Sequence, residues 1–503
     1  RCVLKEVEIF VQKLRDYDSE AVIVLSGDHG YPQRSGTHHT SLDPLNFNEA
    51  ESYEELSGGE GTVKVQNKNS FSLPMANIAL ENKIDFFVGN GLFKRIWVSS
   101  PSSTEASDGL GPFFNARSCQ RCHLKDGRGH PPLANFPEDD AVSMSLHLSI
   151  PPQSIDDTRL LESLSIKAIP DPVYGSQLSD FSTEGILPEG KIFIDYEYIP
   201  LVFQDGRIIT LRKPIYSVVN KNYGDLHPEI QISARVAQPM IGLGLIESID
   251  IKDILLNEDP MDLNKDSISG KANLVWNSEI DETSLGLFGW KATQPSLRQQ
   301  LSDAFHNDMG LSTTLFPDGN NCSEKQTECK QLPNGNSKRH GNLEVSNEQL
   351  DLIEFYLSHL GVPVRRDHQN QQVLKGKEIF YNSGCVSCHT PKFKTVINAK
   401  SKALSDQLIW PYSDFLLHDM GEGLADNNKE FLAEGKEWRT QPLWGIGLTK
   451  VVNGHTNFLH DGRAQSVLEA ILWHGGEAED SRDQVLKLSE QELSNLLLFI
   501  NSL

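Results

Sequence analysis

A chain of 503 residues, 38% of them hydrophobic, is long enough for two or three domains with sizeable cores, and no apolar run approaches the length of a transmembrane helix. The formal charge is −23 with no basic stripe, which argues against nucleic acid and anionic membrane and leaves a surface attractive to a small basic electron-transfer protein. The chain begins at Arg1 rather than Met and shows no leader peptide, so the natural N-terminus is expected to lie upstream.

In chain order, Glu6–Arg15 reads as a helix and Ala21–Leu25 as a buried strand ending in Ser26-Gly-Asp28-His29-Gly30. That strand and turn resemble a metal-binding corner of alkaline phosphatases and sulfatases. Nothing after Thr40 continues such a fold, and one Asp-His pair cannot hold a metal, so residues 1–40 are given no function. Cys2 has no evident partner, and Arg1 is the wrong residue to precede a lipidated cysteine.

Cys119-Gln-Arg-Cys122-His123 follows, and Cys385-Val-Ser-Cys388-His389 repeats its pattern in the second half. Each is a C-x-x-C-H run, the attachment signature of a c-type haem. Two thiols at this spacing reach the vinyl groups on one porphyrin edge as thioethers, and the next His becomes the proximal iron ligand. A redox C-x-x-C or a zinc site does not require His after both pairs. The sequence therefore predicts two covalently bound haems. Because such attachment takes place outside the cytoplasm, the expected location is the periplasm or cell surface.

Between the motifs, Ser143–Ile150, Lys191–Ile199 and Arg207–Arg212 alternate as strands do. Asp262-Leu-Asn264-Lys-Asp266 matches the first half of a calcium loop, although Ser267 and Asn273 stand where an EF-hand has Gly and its closing Glu. Cys322 and Cys329, in a polar loop, are expected to form a small-loop disulfide in an oxidising compartment. Ser346–Leu360 and Ser489–Leu503 can be laid on one another. Each opens with a capping box, Ser346 with Gln349 and Ser489 with Glu492, and continues as an amphipathic helix. Val373–Tyr381 reads as a helix before the second haem motif, and Gly361–Asp367 as a linker. Small c-type cytochrome domains have this order of helix, haem motif and closing helix. The expected fold is thus mainly α: two c-type cytochrome domains, 41–362 and 363–503, the first enlarged by a β-rich insertion over about 142–240.

The run Asp108-Gly-Leu-Gly-Pro-Phe-Phe-Asn-Ala-Arg-Ser-Cys119 resembles the dihaem oxidoreductase family of peroxidases, some of them labelled thiol oxidoreductases. So do Tyr174-Gly-Ser-Gln177, Ile241-Gly-Leu-Gly-Leu-Ile-Glu247, Phe288-Gly-Trp290-Lys291 and Phe458-Leu-His460-Asp-Gly-Arg463. The resemblance runs from about Ser57 to Leu503, and the family is similar in plan to bacterial dihaem cytochrome c peroxidases and to MauG, which oxidises a protein.

The resemblance implies one iron open to peroxide and a second that relays electrons. In the related peroxidases a Gln and a Glu overhang the open iron, and here Gln177 and Glu189 have nearly their spacing, with Glu184 as a competitor. Met144, His147 and His130 are candidates for the distal side of the first haem. The sixth ligand of the second haem, Met in the peroxidases and Tyr in MauG, falls here on His474, with His418 and Met420 as rivals. His460 is expected to hydrogen-bond beneath its turn, and Trp290 to lie between the haems as an electron relay or simply to pack. Related peroxidases keep calcium between domains, which leaves Asp262, Asn264 and Asp266 as possible ligands.

The first functional expectation is a periplasmic peroxidase-type oxidoreductase that reduces hydrogen peroxide at the His123 haem and takes electrons from a small cytochrome or cupredoxin through the His389 haem. The alternatives are MauG-like oxidation of a protein or organic substrate, and an electron-transfer cytochrome with both irons six-coordinate. A homodimer is left open.

Overall fold

The computed structural model describes residues 46–103, 107–140 and 142–503. Cys2, Asp28, His29 and the elements expected within 1–40 lie outside the described residues.

Five helices of eleven to thirteen residues frame the protein: α1 (Lys83–Phe93), α2 (Leu297–Met309), α3 (Asn347–Ser358), α4 (Gln371–Asn382) and α5 (Glu490–Ser502). The capping boxes read from the sequence are formed. Ser346 and Ser489 accept from the backbone N–H of Gln349 and Glu492, whose side chains accept in turn from the cap residues, so two orphan amides are satisfied at each helix start. The repeat extends to packing, because α3 lies against α1 and α5 against α4. A glycine sits at each close approach. A Cβ on Gly89 would meet the Leu352 carbonyl, and one on Gly376 the Asn495 carbonyl, so only glycine lets these backbones touch.

The mainly α expectation is overturned. Helix accounts for 28% of the chain and strand for 18%, the strand paired among the described residues in several small two-stranded sheets. The class is mixed α and β rather than a mainly α cytochrome fold. The physical reason is the long connections between the capped helices. They are too rich in glycine, proline and β-branched residues to propagate helix, and they close as local antiparallel pairs instead.

The longest pair is a hairpin of β2 (Lys191–Val202) and β3 (Ile208–Val219), turned at Asp205-Gly206 with Gly206 at φ 86°. A shorter pair joins β1 (Met144–Ser149) to β4 (Gln231–Val236) in antiparallel register. Alternation in β1 puts Met144, Leu146 and Leu148 inside. Their core continues into Phe380, Tyr412, Leu496 and Phe499, so the first-half strands and α4–α5 share one apolar interior. A second cluster holds α1, α2 and α3 together through Phe86, Phe93, Phe305, Leu350 and Tyr356. Each of these large side chains contributes about 2 kcal/mol on burial. Cys322 and Cys329 form the expected disulfide.

Candidate active site: two cavities with a common wall

Both haem motifs are short helical turns whose His is held from behind. Cys119–Cys122 makes one helical turn, and the Nδ1 of His123 bonds the Gln238 carbonyl at 2.7 Å. Cys385–Ser387 makes a 3₁₀ turn after Gly384 at φ 82°, and the Nδ1 of His389 bonds the Tyr412 carbonyl at 2.8 Å. A carbonyl acceptor assigns the proton to Nδ1 and leaves Nε2 as the free lone pair, the state a metal-bound His requires. Burial lowers both imidazoles to about 4, so they are neutral at physiological pH. None of the four motif cysteines is in a disulfide, and burial pushes the thiols of Cys119 and Cys385 up to about 12.

Each motif opens onto its own cavity. The cavity beside His123 has a volume of about 230 Å³ and the one beside His389 about 200 Å³. Two cysteines outside any disulfide, an adjacent neutral imidazole with a free nitrogen and a cavity beside it form the donor set that a covalently held haem needs. The residues present fit that group twice. Seven residues, Trp290, Arg128 and Arg439 among them, line both cavities, so the two share a wall.

The first cavity is polar on one side. Gln177 stands in its wall and donates from Nε2 to Asp308 Oδ1 at 2.7 Å and to Asn115 Oδ1 at 2.9 Å. Asn115 passes the chain on to Asp180 Oδ1 at 3.0 Å. Burial pushes Asp308 up to about 6. Glu189 is not brought to this wall. Its two oxygens accept from Ser179 N and Gln326 Nε2 at 2.6 Å each, and burial pushes it up to about 8. Glu184 is exposed. Met144 and His147 line the cavity, whereas His130 does not and bonds the Pro131 carbonyl. His147 Nδ1 has no hydrogen-bond partner among the described residues and lies 3.8 Å from Glu430.

The second cavity brings His474 together with His389. His474 Nδ1 bonds the Ala470 carbonyl at 2.7 Å, one helical turn back, which leaves Nε2 as the free lone pair, as in His123 and His389. Met420 and His418 also line this cavity. Both nitrogens of His418 are engaged, by Asp414 at 2.8 Å and Glu477 at 2.7 Å. Burial opposes its charge, but Cys388 and Asp414 outweigh it and hold the imidazole well above its usual range. Among the described residues His460 finds no side-chain hydrogen-bond partner beneath its turn, its Nε2 lying 3.7 Å from Asp461. It stacks on Trp438, with ring centroids 3.7 Å apart and planes 10° from parallel. Trp290 is anchored by its Nε1 on the Val236 carbonyl at 2.9 Å. Lys291 beside it is buried on Asp426, Asn428 O and Glu434 O.

Asp262, Asn264 and Asp266 lie in an exposed turn and spend their oxygens on its own amides, at Ser267, Asp266 and Ile268. Among the described residues no group of three or more His, Cys, Asp and Glu is arranged to hold a metal ion. Sequence reasoning missed Asp308, Asn115, Arg128 and Arg439. Asn115 was visible in the run before Cys119. Asp308 lies near the end of an ordinary amphipathic helix, with no local signal to distinguish it.

No helix among the described residues is long and apolar enough to cross a membrane. No curated protein and no solved structure matches the chain. The family model described as "di-haem oxidoreductase, putative peroxidase" matches residues 52–503, nearly all of the two-cavity structure, and the chain belongs to that family.

Proposed function

We propose that this chain is an exported peroxidase-type enzyme that reduces hydrogen peroxide at the first haem and takes electrons in through the second. The reaction consumes two electrons and two protons per peroxide and releases two waters. Both haems are read as covalently attached, at Cys119/Cys122 and Cys385/Cys388, in two halves divided near residue 362. The observation carrying this reading is the asymmetry of the cavities: a carboxyl and an amide face the first, and a second neutral His faces the other.

Haem iron, when bound, supplies the site where peroxide coordinates and the capacity to pass electrons to it. The chain's own residues handle the protons. Splitting peroxide into two waters calls for a group that can take a proton from one peroxide oxygen and return it to the other. Asp308, with burial bringing it to about 6, can hold that proton between the two events. Gln177 fixes its orientation, and Asn115 fixes Gln177. On the other side, His389 and His474 would both ligate iron, closing that site to peroxide and lowering its potential relative to His/Met ligation. Trp290 stands in both cavity walls, which supports reading it as the path for electrons between the haems.

Met144 and His147 in the wall of the first cavity favour one rival reading, in which either closes that iron too and the protein is an electron-transfer cytochrome. Turnover decides. The oxidised protein, given peroxide and a reduced small cytochrome, is expected to oxidise two donors per peroxide. No turnover, with no spectral change on adding peroxide or cyanide, would select the rival.

A further inference from the structure

Most buried cations in this chain have a carboxylate in contact. Arg235 is 2.9 Å from Glu430, Lys291 2.9 Å from Asp426, Arg463 2.8 Å from Asp461, and Lys377 2.8 Å from Glu51. Arg439, buried, and Arg128, half-buried in the cavity wall, break the rule. Among the described residues no carboxylate oxygen lies within 4.0 Å of either. Arg128 donates to the Leu459 carbonyl at 3.1 Å and otherwise lies over the rings of Trp290 and Phe458. Arg439 donates to the Leu287 carbonyl and to Gln441 Oε1, and its Nε is buried with no acceptor. Burial pushes Arg128 down to about 10 and Arg439 down to about 9, so both stay charged at neutral pH.

Asp414, beyond contact distance, offsets the burial of Arg439 only in part, and a guanidinium withdrawn from water is easier to retain where something else brings negative charge to it. Both residues stand in the wall common to the two cavities. The missing anion must therefore be able to reach that wall from inside a cavity. It should also present oxygens that a planar fork can grip. A haem meets both conditions, because it carries two propionate carboxylates besides the vinyl positions that the cysteines take.

We propose that Arg128 and Arg439 form a shared anchor for haem propionates, through which both haems are tied to the one wall between them. The proposal rests on the reading that both cavities hold haem, and goes beyond it by assigning residues that neither C-x-x-C-H motif contains. A link to the first motif already exists in the protein. Arg439 Nη2 donates to Gln441 Oε1, Gln238 Nε2 donates to the same oxygen, and the Gln238 carbonyl holds His123. The anchor is thus continuous with the support of the proximal ligand.

The experiment uses the full chain with its haems, and compares R128Q and R439Q with wild type by haem content and by potentiometric titration of each haem. Two covalently bound haems in the wild type secure the underlying reading, and their absence refutes that reading rather than the anchor. With both haems retained, each Gln variant is expected to lower both midpoints. The expected size is about tenfold in the oxidised-to-reduced ratio at fixed potential, or about 59 mV for a one-electron couple. Unchanged midpoints in both variants overturn the proposal. Should the Gln variants fail to mature, R128K and R439K keep the charge but lose the fork. The propionate bending bands of their resonance Raman spectra are then expected to shift, and unmoved bands in both would equally overturn it.

Discussion

Replacing Asp308 by Asn tests the proton-handling role of the first cavity. The substitution keeps the size of the side chain and an oxygen for Gln177, whose Nε2 now lies 2.7 Å from Asp308 Oδ1, but removes the group that can take up a proton. A positioned acid–base group contributes about 10²- to 10⁴-fold to rate, and a loss of that order in kcat/KM for peroxide is expected. The pH dependence carries a second signature. Burial raises this carboxyl from its ordinary 3.8 to about 6, Asp303 adds to the rise and Lys167 opposes it. The working form is the carboxylate, so activity is lost as pH falls through about 6, about tenfold per unit below it. Stopped-flow reduction of peroxide by the donor-reduced protein from pH 4.5 to 8 reads both effects. Wild type should show the acid limb and D308N should lack it. A variant within threefold of wild type, with the limb intact, would refute the assignment.

Other consequences are independent of that one. E189Q should cost less activity than D308N, because Glu189 bonds Ser179 N and Gln326 rather than facing the cavity; parallel kinetics of the two variants check the order. H474M should retain both haems and raise the midpoint of the second, whereas an unmoved midpoint would remove His474 from that iron. G376A forces a methyl onto the Asn495 carbonyl between α4 and α5, and is expected to cost about 1–3 kcal/mol in a denaturant titration. C322S opens a disulfide spanning a short loop and should cost about 2–3 kcal/mol under non-reducing conditions, with little effect on peroxide turnover.

The parts legible in the sequence were those specified by neighbours along the chain. The C-x-x-C-H runs, the two capping boxes and the alternation of Lys191–Ile199 and Arg207–Arg212 are local patterns with local causes, and His474, which lines the second cavity, stands only a few residues from the helix before it. The mixed class was harder to read, because the capped helices dominate the pattern while the intervening segments pair in strands as short as Phe113–Phe114 with Phe181–Ser182. The chemistry of the first cavity was the least legible. Gln177 was identified from its spacing to Glu189, but long-range packing gave it Asp308 as a partner from the far end of α2. Cations with no carboxylate in contact are likewise invisible in a sequence, since nothing in Arg128 or Arg439 distinguishes them from the paired Arg235 or Arg463.

The central claim is that two haems of unequal coordination share this chain. The electron paramagnetic resonance spectrum of the fully oxidised protein, recorded before and after one equivalent of hydrogen peroxide, tests it most directly. The account predicts two haem signals: one low-spin signal from the second site that peroxide leaves alone, and one from the first site that peroxide changes. Two low-spin signals unmoved by peroxide, or a single haem, would contradict it.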